Sequence, residues 1–218
     1  DERYVKLGCV QPGESVATFG DALRRLTDQA THLYVDGKRY WYSTQPSVTR
    51  LAQDRAVQQD GEDVWEELRK RLRTERARGE FVAVHVAPES SDDVPDDMTT
   101  RLVVLDPKYT HASKTPDSPA FTEAQSILQH RGNSPRIYRN MLVFLAADRA
   151  RLADLEQAVR QYLAWKSIVD EKEQLNLNSS QSNQAKTKQS QAEEAVKARI
   201  GETYTWLLVP GQPDPQGD

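Results

Sequence analysis

Two apolar runs in this 218-residue chain end in aspartate: Leu102-Val103-Val104-Leu105-Asp106 and Leu142-Val143-Phe144-Leu145-Ala146-Ala147-Asp148. Carboxylates at strand ends can hold magnesium for phosphoryl transfer or phosphodiester hydrolysis, so a divalent-metal nuclease or phosphatase would be built on Asp106 and Asp148. Such a site needs several converging carboxylates. Simpler roles compete: Asp106 precedes Pro107, an ordinary turn pair, and Asp148 stands where a helix N-cap belongs. The four histidines, His32, His85, His111 and His130, are scattered, with no ligand spacing of the H-E-x-x-H kind. His85 alternates with apolar neighbours, as a structural strand residue does. The phosphate-binding loop G-x-x-x-x-G-K-[ST] does not occur, so nucleotide phosphates are not cradled by that route. The site expectation is no catalytic residue and no metal ligand.

Binding chemistry has more candidates. Arg24, Arg25, Lys38 and Arg39 fall on a predicted helix and hairpin, where they can contact nucleic-acid phosphates or serve as an ordinary solvated face. Tyr34, Tyr40, Trp41 and Tyr42 can stack on bases or on one another across the hairpin. Arg136, Arg139 and Asn140 lie in a polar loop, Gly132-Asn133-Ser134-Pro135-Arg136-Ile137-Tyr138-Arg139-Asn140, that enters the most apolar segment. Such loops often carry function; equally, Asn140 can satisfy backbone groups at a strand end.

The elements that must position these residues read as follows. Tyr4 to Val10 reads as an extended run closed by Pro12-Gly13. A helix capped by Ser15 or Thr18 follows, with Phe19, Ala22, Leu23 and Leu26 on one face. Residues 32–35 and 38–42 flank Asp36-Gly37, a tight hairpin turn. Strand, helix and hairpin in that order suggest a wing-like unit over residues 1–60. Helices near 48–59 and 63–78 come next; the second is acidic at its start and basic at its end (Arg71, Arg73, Arg76, Arg78), which complements the helix dipole. Strands are predicted at 81–87, 101–105, 138–146 and 204–209, a helix at 119–129, and an acidic, mobile loop at 89–97. Apolar spacing from Leu152 to Leu163 extends a helix from 149 to about 172. Beyond the polar stretch 176–188, a thin seam of Ala192, Ala195, Val196 and Ile200 marks a second helix, frayed in its first turns. The fold class expected is α/β: the wing-like unit, then an α/β layer over 61–218 with a long antiparallel helical arm at 149–200.

Composition narrows the setting. With 29 basic and 33 acidic side chains the net charge is −4, so no global field draws the chain to nucleic acid and any such contact is local. The single cysteine, Cys9, excludes an internal disulfide and suits a reducing, cytoplasmic compartment. No apolar run reaches the roughly 20 residues of a membrane span. The chain begins at Asp-Glu-Arg and ends in the turn-rich Pro210-Gly211-Gln212-Pro213-Asp214-Pro215, and both ends read as cut points in a longer protein.

Three runs carry a family likeness: Lys6-Leu7-Gly8-Cys9-Val10-Gln11-Pro12-Gly13-Glu14, Tyr40-Trp41-Tyr42-Ser43-Thr44-Gln45-Pro46-Ser47, and Ser134 to Asp148. They resemble a large bacterial family of ATPases of unknown function, often encoded beside DNA methyltransferases and helicases in anti-phage defence islands. The likeness extends over nearly the whole chain. In that family the phosphate-binding loop lies upstream, so the resemblance implies a region after the ATPase core. ATP and magnesium are then implied for the parent alone, with no cofactor here, and no catalytic residue of the family has a counterpart in this chain.

The leading expectation is therefore a non-catalytic region that engages DNA or another defence-island protein, with no membrane partner. The alternatives are the divalent-metal nuclease or phosphatase and a protein-interaction module acting through the helical arm. The isolated chain should show no ATP turnover in a phosphate-release assay; turnover abolished by mutating one of its own residues would overturn this reading.

Overall fold

The structure, a computed structural model, describes residues 2–30, 32–42, 47–74 and 78–211. Residues 43–46 of the second family-like run, Arg76 of the basic helix end and the terminus from Gln212 lie outside the described residues. In chain order the main elements are α1 (Glu2–Cys9), α2 (Val16–Gln29), β1 (Leu33–Asp36), β2 (Arg39–Tyr42), α3 (Val48–Gln58), α4 (Gly61–Thr74), β3 (Ala83–Val86) and β4 (Arg101–Val104). They continue with β5 (Thr110–His111), α5 (Pro119–Gln129), β6 (His130–Arg131), β7 (Ser134–Pro135), β8 (Leu142–Asp148), α6 (Leu152–Asp170), α7 (Ser179–Thr203) and β9 (Tyr204–Leu208). This is a mixed α/β chain that divides into two compact units, residues 1–59 with 160–193, and residues 60–159 with 194–218.

The first unit departs from expectation at its start. Residues 2–9 are helical rather than extended, so the order is helix, helix, hairpin. The strand-favouring Tyr4 and Val5 are overruled by specific partners. Glu2 and Lys6 pair one turn apart, and the Glu2 N–H donates to the Lys38 carbonyl at 2.9 Å. Lys6 also lies over Gly20 of α2, so close that a Cβ there would sit 3.0 Å from its Nζ.

The hairpin itself forms as its turn chemistry requires. Asp36 pairs with Arg39, leaving Gly37 and Lys38 as the two-residue loop, one position later than the Asp36-Gly37 reading. Gly37 takes φ +57°, the first-position left-handed value that a type II′ turn demands and that glycine adopts without strain. Tyr34 and Trp41 face one another across the strands and stack, with ring centres 5.8 Å apart.

In the same unit, Ser47 caps α3 by accepting the Arg50 N–H at 3.2 Å. Trp165 and Ile168 of α6 pack with Ala185 of α7 and with Val48 and Ala52 of α3 in one buried cluster. Arg55 of α3 donates to Ser167 Oγ and Glu171 Oε2, both at 2.7 Å. The apolar seam of the helical arm is thus covered by α3 over this stretch. The start of α7 is firmer than its composition suggests. Asn178 Oδ1 accepts from the Gln181 N–H at 2.9 Å while Gln181 Oε1 accepts from the Asn178 N–H at 3.0 Å, a reciprocal capping box. Gln181 and Ala185 are both buried, so most of the polar stretch 176–188 belongs to the helix, and its first turns are pinned.

The second unit is built on β3, β4 and β8, parallel neighbours in that order. β5 joins β8 at Ala147 and Asp148 in parallel, and β9 pairs antiparallel with Phe144 to Ala147. Ala147 pairs with both β5 and β9, so these two strands use opposite edges of β8. Leu142, Phe144 and Ala146 point by strand alternation into a core shared with Val103 and Leu105, with Ala120, Ala124 and Ile127 of α5, and with Val94. Full burial of a side chain such as Phe144 contributes about 1.5–3 kcal/mol. The four-residue spacing of Val64, Leu68 and Leu72 buries one stripe of α4. Among the described residues no helix is long and apolar enough to cross a membrane.

Replacing Asn178 by alanine should lower stability by about 1 kcal/mol. Urea denaturation would register the loss, and amide exchange should accelerate locally at residues 181–184.

Candidate functional site

In open parallel sheets, ligands collect outside the carboxyl ends of the strands, and there the second unit has a cleft lined by charged side chains. β3 runs into Ala87, a buried non-glycine residue with φ +45°. A left-handed alanine costs about 1–2 kcal/mol, and its N–H is already committed to the Val104 carbonyl at 2.8 Å. β4 runs into Leu105 and then Asp106. Asp106 accepts the Lys108 N–H on Oδ1 at 3.1 Å and the Arg69 Nε–H on Oδ2 at 2.8 Å, and its carbonyl accepts the Tyr109 N–H at 2.9 Å. Between α4 and these strand ends lies a cleft of about 760 Å³, with Arg69, Lys70 and Arg73 on one side and Ala87, Asp106 and Lys108 on the other.

The other strand-end aspartate is engaged as well. Asp148 accepts the Ala150 N–H and the Trp206 Nε1–H, each at 2.8 Å. Burial raises its pKa, but the indole and backbone donors outweigh burial and hold it below the usual aspartate value. Because α6 starts at Leu152, Asp148 ties the turn that leads to the helix and does not occupy the N-cap position. Among the described residues, no group of three or more His, Cys, Asp or Glu side chains is placed to hold a metal ion.

The fold brings together one pair that sequence spacing did not suggest: His111 Nδ1 lies 2.6 Å from Ser118 Oγ. A nucleophile and its base meet at such a distance. Here the serine is 2% exposed and its hydroxyl also accepts the Phe121 N–H at 3.2 Å, so it works as the buried cap of α5. His85 lies in β3, where burial and the adjacent Arg101 lower its pKa, and its Nε2 is 3.2 Å from Arg101 Nη1.

Arg136, one of the three polar-loop candidates, is buried and structural. Its Nε donates to the Ile127 carbonyl at 2.9 Å and Nη1 to Pro95 at 2.8 Å; Nη2 donates to Val94 at 3.0 Å and to Ser91 at 3.3 Å. Burial lowers its pKa, and Asp96, 4.0 Å away, opposes that effect. Asp96 in turn accepts the Ile137 and Tyr138 N–H groups at 2.8 and 2.9 Å. The acidic stretch 89–97, expected to be mobile, is instead held from its core side by Arg136, with Val94 fully buried and Ser90 and Asp93 forming a capping box. Arg139 and Asn140 are exposed; Arg139 Nε donates to the Arg136 carbonyl at 3.2 Å.

The four cations proposed for nucleic acid lie in the first unit. Arg24 pairs with Asp21, and Lys38 and Arg24 both lie near enough to Glu2 to add to the larger effect of Lys6 in lowering its pKa. Arg25 and Arg39 are exposed, and neither they nor Lys38 form an ion pair among the described residues. Tyr42, at the hairpin base, is 79% exposed.

Replacing Arg136 by methionine keeps much of the stem and removes every donor. Several buried carbonyls would be left unpaired, so stability should fall by about 3 kcal/mol or more. Arg139→Ala should change it by less than about 0.5 kcal/mol. Chemical denaturation of the two variants would distinguish a structural loop from a surface one.

No protein-family model, curated protein or solved structure significantly matches this chain.

Proposed function

We propose that the chain is a non-catalytic, DNA-engaging region of a larger anti-phage defence ATPase, in keeping with the family resemblance, and that the wing-like helix and hairpin form the contact surface. The observation that carries this reading is the set Arg25, Lys38 and Arg39, cations on α2 and the hairpin with no ion-pair partner among the described residues. They accompany the exposed Tyr42 on a ribbon stiffened by the Tyr34–Trp41 stack. Cations at a hairpin tip suit phosphate contacts, and an exposed tyrosine offers a face for stacking on a base. At a net charge of −4 the attraction is local, so binding is weak and strongly dependent on salt.

The two other readings draw less support. Asp106 and Asp148, the carboxylates a nuclease would use, are engaged by Arg69 and Trp206. A protein-interaction arm needs a free apolar seam, and α3 covers that seam within the first unit.

Reversing Arg25, Lys38 and Arg39 to glutamate should weaken binding to a DNA duplex. The slope of log affinity against log salt should flatten by about one for each phosphate no longer neutralised. Fluorescence anisotropy across a salt series would measure both effects, and an unchanged slope would return these residues to ordinary surface charges.

A further inference from the structure

We infer that the cleft at the carboxyl ends of β3 and β4 is a binding site for a compact phosphate group, the phosphomonoester of a small molecule or of a nucleic-acid end. Three observations converge on it. First, the site is concave, and about 760 Å³ matches a small-molecule pocket. Second, its cations are prearranged. Asp106 holds Arg69 by Nε alone, so the two terminal nitrogens have no hydrogen-bond partner among the described residues. Arg73, one turn further along the same face of α4, has no ion-pair partner among the described residues. Lys108 stands across from them on the Asp106 turn, 4.8 Å over the Tyr109 ring. Lys70 completes the set, its link to Glu67 stretched to 4.0 Å. Third, the buried Ala87 in the cleft wall keeps a left-handed backbone, the kind of local strain that clusters at ligand clamps.

The charge pattern selects the ligand. Paired guanidinium forks and a lysine match the several oxygens and high charge density of a phosphate dianion. Two acidic side chains, Glu66 and Glu89, are exposed on the rim, and Asp106 is already consumed by Arg69. A long polyanion draped over this face meets the rim carboxylates, whereas a single phosphate inserted between the cations avoids them. The Ala87 N–H is spent and Pro88 has none, so recognition rests on side chains.

The inference does not rest on the DNA reading of the hairpin, and its test uses the full chain. Pyrophosphate is titrated by calorimetry at low salt against wild type, Arg73→Ala and Lys108→Ala, with Lys188→Ala, an exposed cation of α7 in the other unit, as the control. Both cleft positions are exposed, so these variants should fold; circular dichroism verifies it. Saturable binding that falls about tenfold in either cleft variant and not in the control is the expected result. Nucleoside monophosphate against nucleoside, and 5′-phosphorylated against 5′-hydroxyl oligonucleotide, then separate the two sources; Arg73-dependent preference for the phosphorylated member of either pair supports the site. No saturable binding of any phosphorylated probe, or equal loss in the control, would overturn it.

Discussion

Strands β3 and β4 are parallel neighbours, and a parallel pair requires a long crossover between its strands. In most folds that crossover is a helix, which satisfies its own backbone. Here residues 87–100 make the connection with only one short helical turn at 91–93, so the segment does not satisfy its own carbonyls as a full helix would. Arg136 supplies what is missing. Its planar donors reach Ser91, Val94 and Pro95 in the crossover and Ile127 in the last turn of α5, where carbonyls lack helical partners. Its own N–H closes onto Gln129, and Asp96 returns the favour by holding the two residues that follow it. The crossover, the end of α5 and the approach to β8 are therefore joined through one side chain. β8 is the strand on which β4, β5 and β9 all pair, so the placement of the strand ends follows from that junction.

How far this was legible in the sequence depends on where the deciding partner lies. The hairpin is local: a glycine at its turn and aromatic strands to either side specify it within ten residues. The stripes of α4, α5 and α6 and the alternation of β8 are legible for the same reason. The first helix is not, because what favours it over a strand is the Lys38 carbonyl and the bare face of Gly20, both distant along the chain. For α7 the signal was present, an Asn-x-x-Gln capping box at 178–181, but the sparse apolar content after it suggested a connection. A seam of alanines packs as a helix only when a partner such as Trp165 supplies the area that alanine lacks. Arg136 shows the opposite difficulty. Its position in a polar loop was legible and its role was not, since an arginine before an apolar strand reads as a site until the crossover is seen to fold over it.

The charges of α4 carry the same lesson at finer scale. The acidic start and basic end of the helix suit its dipole, and that account explains the arginines as a group. It cannot separate Arg71 from Arg73. Two residues apart on a helix, they point to opposite sides. Arg71 is held by Glu67 at 2.8 Å, while Arg73 turns to the cleft beside Arg69. Asp106 performs a related division of labour. As a turn residue it needs only its Oδ1 for the Lys108 N–H, which frees Oδ2 to fix Arg69 in place. The carboxylate that looked like a metal ligand thus acts as the anchor of a cation. Anchoring through Nε restricts the side chain before any ligand arrives, so less conformational entropy remains to be lost on binding. The left-handed backbone of Ala87 belongs to the same preorganisation. Its strain is offset by the hydrogen bond to Val104, which closes the last pair of the β3–β4 ladder and keeps the cleft wall continuous with the sheet.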